Sequence, residues 1–258
     1  MNAGEQGAPP GTEDALELVF APLDQVGPGS DATTLAALAE LQPIPSGGAI
    51  YDLGCGPGRQ TLALARELGR PITAVDVNRT FLDRLIVRAE ALGLGEAVAV
   101  REASMVALDA APDSIDLIWS EGAVYIVGVE AALRHWWPLL RPGGCVAFTE
   151  LVWLTDSPPE PAAQFWRYAY PGMTGVVDTQ LACVRQGYEV VATRSLPAED
   201  WQEGYYQPLS RRIETLRPRA ADWPELTAVL AEIDDEMAVF NAHHGSFAYV
   251  FFLLRKPA

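Results

Sequence analysis

Three glycines at alternate positions, Gly54, Gly56 and Gly58, follow a short apolar run that ends in Asp52. Alternating glycines remove the Cβ atoms from one side of a tight turn, so a ligand can approach the backbone closely. A nucleotide-type cofactor lying across the turn is the first hypothesis. Asp52, at the head of the turn, suits an amino group or a cation better than a diphosphate. The alternative is a turn that serves tight packing alone.

The spacing of these glycines argues against two common phosphate-binding turns. The dinucleotide fingerprint is GxGxxG, and the last two glycines here are one residue too close for it. A P-loop needs a lysine beside the phosphates, and the only lysine in this chain is Lys256. An NAD-dependent oxidoreductase is therefore the weaker of the enzyme hypotheses.

Polar residues that follow the next two apolar runs favour an adenosine-containing ligand. Asp76 lies 18 residues beyond Gly58, where a carboxylate can accept hydrogen bonds from both ribose hydroxyls. Its alternative role is to cap the helix that begins near residue 79. Ser104 and Met105 could flank an adenine ring, although a methionine after a strand is usually a core residue.

Apolar runs that fit buried strands alternate with segments of helical periodicity. The predicted strands are 48–53, 71–77, 97–102, 115–120, 145–153, 187–196 and 246–256. The predicted helices are 31–42, 59–69, 80–93, a stretch around 130–140 that Pro142, Gly143 and Gly144 close, 205–217 and 224–240. This alternation predicts an α/β fold with a doubly wound, mostly parallel seven-stranded sheet, and ligands beyond the carboxyl ends of the strands.

The distribution of the predicted strands and helices along the chain predicts one domain with two inserted segments. Residues 1–14 contain nothing that could pack and are expected to form a disordered tail, which leaves residues 15–258 as a single domain. Two segments, at about 154–180 and 197–245, interrupt the alternation and are expected to form a helical and aromatic lid over the carboxyl ends of the strands. The last two strands are expected to close one edge of the sheet as a hairpin.

Five short motifs occur in an order that resembles the class I S-adenosylmethionine-dependent methyltransferases. They are 52–58 (DLGCGPG), Asp76, Ser104 with Met105, 116–118 (DLI) and 140–144 (LRPGG). Other segments resemble a bacterial subgroup labelled ubiquinone/menaquinone methyltransferase-like, a label that does not establish a quinone substrate. These segments are 25–30 (QVGPGS), 118–123 (IWSEGA), 153–156 (WLTD), 165–166 (FW) and 169–171 (AYP).

The resemblance implies S-adenosylmethionine as the cofactor and a place for its methionine part. That part would lie over the glycine turn, made by Gly54, Cys55, Gly56 and Gly58, with its amino group near Asp52 or the Gly54 carbonyl. Ser120 would lie beside the sulfonium. A loop ending in Ser30 would close over the carboxylate, and Arg59 is a candidate partner for that charge.

The resemblance also implies a place for the adenosine part. Asp76 would hold the ribose, Val77 and Met105 would sandwich the adenine, and Ser104 would lie at the edge of the ring. The implied function is methyl transfer to a small-molecule acceptor by direct in-line displacement. A catalytically silent S-adenosylmethionine-binding module that regulates a partner is the alternative from another functional class.

Residues after the fourth and fifth strands are candidates for the acceptor site. Aligning the acceptor with the methyl group can supply most of the acceleration, and a base is needed only if the acceptor must lose a proton. The candidate catalytic residues are Glu121, Tyr125 and Glu150. Trp153, Trp166 and Tyr170 could wall an apolar or cationic substrate. The alternatives are lid packing for the aromatic residues and a helix-end role for Glu121.

Composition sets limits on partners and location. The formal net charge of −16 disfavours a nucleic-acid partner. The three cysteines have no metal-site spacing and fit a reducing compartment, so no metal and a cytoplasmic location are expected. The longest apolar run is too short to span a membrane. The oligomeric state stays open, with a homodimer as one option.

Overall fold

The computed structural model describes residues 11–258 and joins seven strands of this part of the chain in one sheet. The strands are β1 (Ala49–Leu53), β2 (Ile72–Asp76), β3 (Val98–Glu102), β4 (Ile115–Ser120), β5 (Leu140–Trp153), β6 (Glu189–Ser195) and β7 (Phe247–Arg255). Their spatial order is β3-β2-β1-β4-β5-β7-β6. Neighbouring strands are parallel except where β7 pairs with β5 and β6. The predicted doubly wound, mostly parallel seven-stranded sheet is confirmed.

Helices connect the strands and form additional layers. They are α1 (Thr12–Phe20), α2 (Asp31–Leu41), α3 (Arg59–Leu68), α4 (Arg79–Ala91), α5 (Val129–Trp136), α6 (Glu160–Ala169), α7 (Val176–Arg185), α8 (Ala198–Trp201), α9 (Gln207–Ala220) and α10 (Pro224–His243). Short 3₁₀ turns occur at Gly95–Ala97 and Val124–Ile126, and a π-helical turn at Gln202–Tyr206 joins α8 to α9.

The central strands are buried on both faces. All six residues of β4 are buried. Ile118 packs in a hydrophobic cluster with Trp136, whereas the next residue, Trp119, packs in another with Phe251. Successive side chains of a strand point to opposite faces, so β4 is covered by apolar groups on both sides, as parallel strands between helix layers are. This leaves the carboxyl ends of the strands as the place where loops can build a site.

The edge near the C-terminus differs in detail from the prediction. The last two strands pair antiparallel, as expected, but β7 lies between β5 and β6. The predicted helix around 130–140 ends at Trp136, and β5 already begins at Leu140. Backbone hydrogen bonds to Lys256 hold Gly143 and Gly144 beside the end of β7, so these residues extend the strand rather than close a helix.

Helices from distant parts of the sequence share a further hydrophobic cluster beyond the sheet. Its members include Val19 of α1, Trp166 of α6, Trp201 of α8 and Phe240 of α10. Of the predicted tail, residues 1–14, the first ten residues lie outside the part of the chain that the structure describes. From Thr12 onward the chain is helical, because Ala15 and Val19 bury an apolar face against this cluster.

Candidate functional site

A cavity of about 830 Å³ opens at the carboxyl ends of the first four strands. The segments that follow β1, β2, β3 and β4 line it, as do a loop at residues 25–28 and one side of α1. Tyr205 and Glu236 contribute from the π-helical turn and from α10. A volume of this size is typical of pockets that enclose a cofactor or another small molecule.

The glycine turn presents bare backbone to this cavity. Gly54 has φ 68° and Gly56 has φ 54°, both in the left-handed region that favours glycine. The Gly54 and Cys55 N–H groups donate to the Val75 carbonyl at 2.8 and 3.0 Å, which fixes the turn against β2. A Cβ on Gly54 would lie 2.4 Å from the Cβ of Ala123. The absent side chain therefore lets the loops after β1 and β4 touch, with Gly54, Cys55 and Gly56 on the cavity wall.

Asp76 lies on the cavity wall at the end of β2. Its Oδ2 accepts a hydrogen bond from the Gly56 N–H at 2.8 Å, and its Oδ1 accepts one from the Asn78 N–H at 2.8 Å. A carboxylate oxygen can accept two hydrogen bonds, so each oxygen keeps one acceptor position for a ligand hydroxyl. The side chain of Asn78 caps α4 by accepting from the Phe81 N–H, so the alternative role of Asp76 as that cap is wrong.

Asp52 does not line the cavity and is fully buried beneath the turn. The Thr61 hydroxyl donates to its Oδ2 at 2.5 Å, and the Gln60 amide lies 3.4 Å from its Oδ1. Burial raises the pKa of Asp52 to about 7, against the lowering effect of the Thr61 hydrogen bond. The predicted contact with a ligand amino group is therefore wrong, because this carboxyl ties β1 to the first turn of α3.

Three more residues that were predicted to bind the cofactor have structural roles and do not line the cavity. Ser30 caps α2, and its Oγ accepts a hydrogen bond from the Thr33 N–H at 3.2 Å. Gly58 precedes α3, where a Cβ would lie 2.2 Å from Leu85 Cδ1. Ser120 is buried and donates to the Leu53 carbonyl at 2.7 Å. Each position therefore serves helix capping or close packing.

The residues predicted to surround the adenine do share one part of the cavity wall. Val77, Ser104 and Met105 all line it. Met105 is only 7% exposed, and its carbonyl accepts a hydrogen bond from the Trp136 indole at 2.8 Å. Val77 is 69% exposed. Phe81 joins this wall and was missed in the sequence, because its position in α4 fits an ordinary amphipathic helix.

Glu121 lines the cavity, but its carboxylate is already engaged. Its Oε2 lies 2.5 Å from the Arg59 guanidinium. Its Oε1 accepts hydrogen bonds from the Thr34 hydroxyl and the Trp119 indole, both at 2.7 Å. This arrangement favours a role in positioning Arg59 over the predicted role of a free proton acceptor. Arg59 also lines the cavity and has a second ion pair, with Asp31 at 3.2 Å.

The other two candidate catalytic residues lie at different depths. Tyr125 lines the cavity, whereas Glu150 is 3% exposed and does not reach it. Burial raises the pKa of Glu150 to about 7, and the Tyr170 hydroxyl opposes this effect. Oε2 of Glu150 nevertheless makes no hydrogen bond of normal geometry with any described residue. Glu150 therefore lies behind the wall that Tyr125 forms.

The three aromatic residues predicted to wall the substrate do not line the cavity. The ring of Trp153 lies 6.2 Å from that of Phe247, and the ring of Trp166 lies 5.2 Å from it. Both tryptophans therefore pack in the hydrophobic cluster that α1, α6, α8 and α10 share, so they have the packing role given above as the alternative. Tyr170 supports the wall from behind, with its ring 5.9 Å from that of Tyr125.

Two residues that sequence reasoning missed complete the cavity. Tyr205 lies in the π-helical turn, and Glu236 lies in α10. The Tyr206 hydroxyl donates to Glu236 Oε1 at 2.9 Å. The only signal for Tyr205 was the pair of adjacent tyrosines at 205 and 206, and Glu236 stands in an acidic run that reads as a solvated helix face.

Known proteins whose sequences are similar to this chain include methyltransferases. Residues 50–144 match the family model described as a methyltransferase domain. A dimethylglycine N-methyltransferase of Parasynechococcus marenigrum is 35% identical over 142 residues, which are 54% of this chain and 51% of that protein. The chain spans about half the length of the first curated relatives that it matches.

Solved structures share the fold over almost the whole chain. An S-adenosylmethionine-dependent methyltransferase of Geobacter sulfurreducens, in complex with S-adenosyl-L-homocysteine, has a TM-score of 0.78 at 21% identity and covers 93% of this chain and 96% of its own. A counterpart from Thiobacillus denitrificans, with the same ligand, has a TM-score of 0.76 at 20% identity over 93% and 96% of the two chains. At such identities the likeness shows the fold.

Proposed function

We propose that this chain, of which residues 50–144 match a methyltransferase-domain model, is a class I S-adenosylmethionine-dependent methyltransferase that transfers a methyl group to a small-molecule acceptor by direct in-line displacement. The observation that carries the proposal is the cavity wall on which the bare turn at Gly54 and Gly56 meets the Asp76 carboxylate. When bound, S-adenosylmethionine would supply an electrophilic methyl group on a positively charged sulfur.

The residues of the wall fit the parts of this cofactor. The remaining acceptor positions of Asp76 suit the two ribose hydroxyls. Val77, Phe81 and Met105 offer apolar surface for the adenine, and Ser104 offers a hydroxyl at its edge. Arg59 is the basic group among the described lining residues and is the candidate partner for the methionine carboxylate, with Glu121 holding it in place.

The acceptor is proposed to be a small molecule, because α1, the π-helical turn and α10 line the cavity beside the strand ends and leave limited space. The segments at about 154–180 and 197–245 are proposed to form a lid on a single domain that covers residues 15–258. The relative named above acts, by its name, on dimethylglycine, which is small enough for such a space.

Finer predictions belong to the same proposal. They are the ubiquinone/menaquinone-like subgroup, a cytoplasmic location, a homodimer as one option, and the exclusion of nucleic acid as a partner. Among residues 11–258, none of the helices combines the length and the apolar character that crossing a membrane requires. The net charge of −16 supports the exclusion of nucleic acid, since such a surface repels phosphates.

Calorimetric titration of the full chain tests the cofactor assignment. We expect S-adenosylhomocysteine to bind at least about tenfold more tightly than NAD, a difference of about 1.4 kcal/mol. Equal or tighter binding of NAD would contradict the proposal. A panel of small acceptors then separates the enzyme from a silent binding module, since only the enzyme converts S-adenosylmethionine to S-adenosylhomocysteine in an acceptor-dependent way.

A further inference from the structure

Two phenols and a carboxylate are among the residues that line the cavity and are not assigned to the cofactor. Tyr125 and Tyr205 line it together with Glu236. The three groups are close enough for Glu236 to raise the pKa of both tyrosines, in addition to the larger effect of burial. Tyr125 stands two residues after Ala123, whose Cβ abuts Gly54, so this wall adjoins the glycine turn.

The charge around the cavity favours a cation. Five of the described lining residues are acidic, namely Glu13, Glu17, Asp76, Glu121 and Glu236. The basic lining residue, Arg59, is already paired with Glu121 at 2.5 Å and with Asp31 at 3.2 Å. Because Arg59 is also assigned to the cofactor carboxylate, an anionic acceptor would meet carboxylates with no further cation among the described lining residues, whereas a cation is concentrated by the field of such a cleft.

Behind this wall lies Glu150, which is buried and has an Oε2 that makes no normal hydrogen bond to the described residues. Burial raises the pKa of Tyr125, and Glu236 and Glu150 raise it further, so both carboxyls lie near this phenol. Tyrosine faces attract ammonium groups by cation–π interaction, at about 0.5–2 kcal/mol each.

We propose that this wall, formed by Tyr125, Tyr205 and Glu236, is the acceptor subsite and that it takes a small tertiary amine, which the enzyme converts to a quaternary ammonium. The inference rests on the proposed function and names its substrate class. The amine reacts as its free base. Its nitrogen lone pair forms the new bond to the methyl carbon as the bond from that carbon to sulfur breaks, and the sulfur keeps the electron pair.

An amine that enters as its protonated form first loses that proton to water, and the transfer itself then moves the positive charge from sulfur to the acceptor nitrogen. A carboxylate and two phenol faces placed around the nitrogen bind the charge more strongly as it develops. They therefore stabilise the transition state more than the neutral amine, which is the condition for faster methyl transfer. The quaternary product is the species that the wall binds best, so a stable quaternary ammonium is the probe of choice.

The test uses the full chain saturated with S-adenosylhomocysteine and three probes of nearly equal shape. They are choline, which is cationic, 3,3-dimethyl-1-butanol, which is neutral, and 3,3-dimethylbutyrate, which is anionic. By calorimetry we expect choline to bind at least about tenfold more tightly than the other two. Glu236→Gln should reduce that preference to within about threefold while leaving the S-adenosylhomocysteine affinity within about twofold of wild type.

Glu232→Gln is the matched control, because it makes the same change of charge one turn earlier on the exposed face of α10. It should leave the preference for choline intact. The inference is overturned if choline binds no better than its neutral isostere, including the case in which neither binds, or if the carboxylate binds best. Failure of S-adenosylhomocysteine itself to bind wild type would instead overturn the proposed function, so the two failures are distinct.

Discussion

The cavity wall assigned to the cofactor and the wall assigned to the acceptor differ in how much of each is backbone and how much is side chain. The centre of the wall assigned to the cofactor, called here the backbone wall, consists of backbone at Gly54 and Gly56 and of a carboxylate, Asp76, that the backbone itself orients. The wall assigned to the acceptor consists of side chains, those of Tyr125, Tyr205 and Glu236, carried by three separate helical segments. A backbone wall is fixed by the sheet, whereas a side-chain wall can change with every substitution in the lid.

The strongest way to break this comparison is to give the backbone wall a side chain. In Gly54→Ala the new methyl would lie 2.4 Å from Ala123 Cβ, at a φ of 68° that strains any L-residue. The loops after β1 and β4 must then separate, and the turn loses its place. We expect the Kd for S-adenosylhomocysteine to rise more than about 100-fold, or about 2.7 kcal/mol, by calorimetry.

Gly69→Ala controls for backbone strain in this experiment. Gly69 has a similar φ of 58°, but a Cβ there would meet nothing within 4 Å. We expect this variant to lose about 1 kcal/mol of stability in urea unfolding and to bind S-adenosylhomocysteine like wild type. Normal ligand binding by a folded Gly54→Ala variant would show that the turn does not form the cofactor wall.

A substitution with a smaller expected effect tests the role of Asp76, the carboxylate that completes the backbone wall. Asp76→Ala removes the acceptor of the Gly56 N–H and the proposed ribose contacts together. Charge-assisted hydrogen bonds of this kind contribute about 1.5–3 kcal/mol, so the Kd for S-adenosylhomocysteine should rise about tenfold or more. Asp76→Asn, which keeps one oxygen acceptor, should fall between Ala and wild type.

Asp83→Ala is the control for the loss of an acidic residue near this wall. Asp83 is exposed on α4 and pairs with Arg79 at 2.5 Å. Its removal should leave the affinity for S-adenosylhomocysteine within about twofold, since exposed ion pairs contribute little. If both aspartate variants weaken binding equally, the effect is one of net charge and the ribose has been placed wrongly.

The difference between the walls also decides what the sequence could predict. Glycines at fixed spacing after a strand, and an acid at the end of the next one, are local signals that survive without any knowledge of packing. The sheet, the turn and the position of Asp76 followed from them. Asp52 belongs to the same motif, yet its carboxyl points away from the cavity, because a residue within a strand faces one helix layer or the other.

The acceptor wall could not be predicted in this way. Tyr205 and Glu236 reach the cavity because the helical segments that carry them pack on one another through Trp201 and Phe240, whose rings stack at 4.8 Å. Such long-range packing leaves no local pattern. Trp153 and Trp166 indicated in the sequence that this region is aromatic. Aromatic residues are equally suited to a hydrophobic core, and both tryptophans pack in the cluster that the surrounding helices share.

The smallest expected effect compares two buried acids, one behind each wall. Burial raises the pKa of both Asp52 and Glu150 to about 7. Each carboxyl therefore holds a proton in the folded chain that the unfolded chain releases at lower pH. Its contribution to stability is fully present below about pH 4 and is lost as the pH rises to about 7.

Glu150→Gln removes that titration and should flatten the pH profile of stability. Relative to wild type, we expect its free energy of unfolding to rise by about 1–2 kcal/mol between pH 5 and pH 8, measured by urea titration. Asp52→Asn should flatten the profile similarly but start from lower stability, because its amide would turn a donor toward Thr61 or Gln60, which already donate. Glu160→Gln, at an exposed position, should run parallel to wild type. Parallel curves for Glu150→Gln would mean that this carboxyl is ionised in the folded protein, and the wall in front of it would then be still more attractive to a cation.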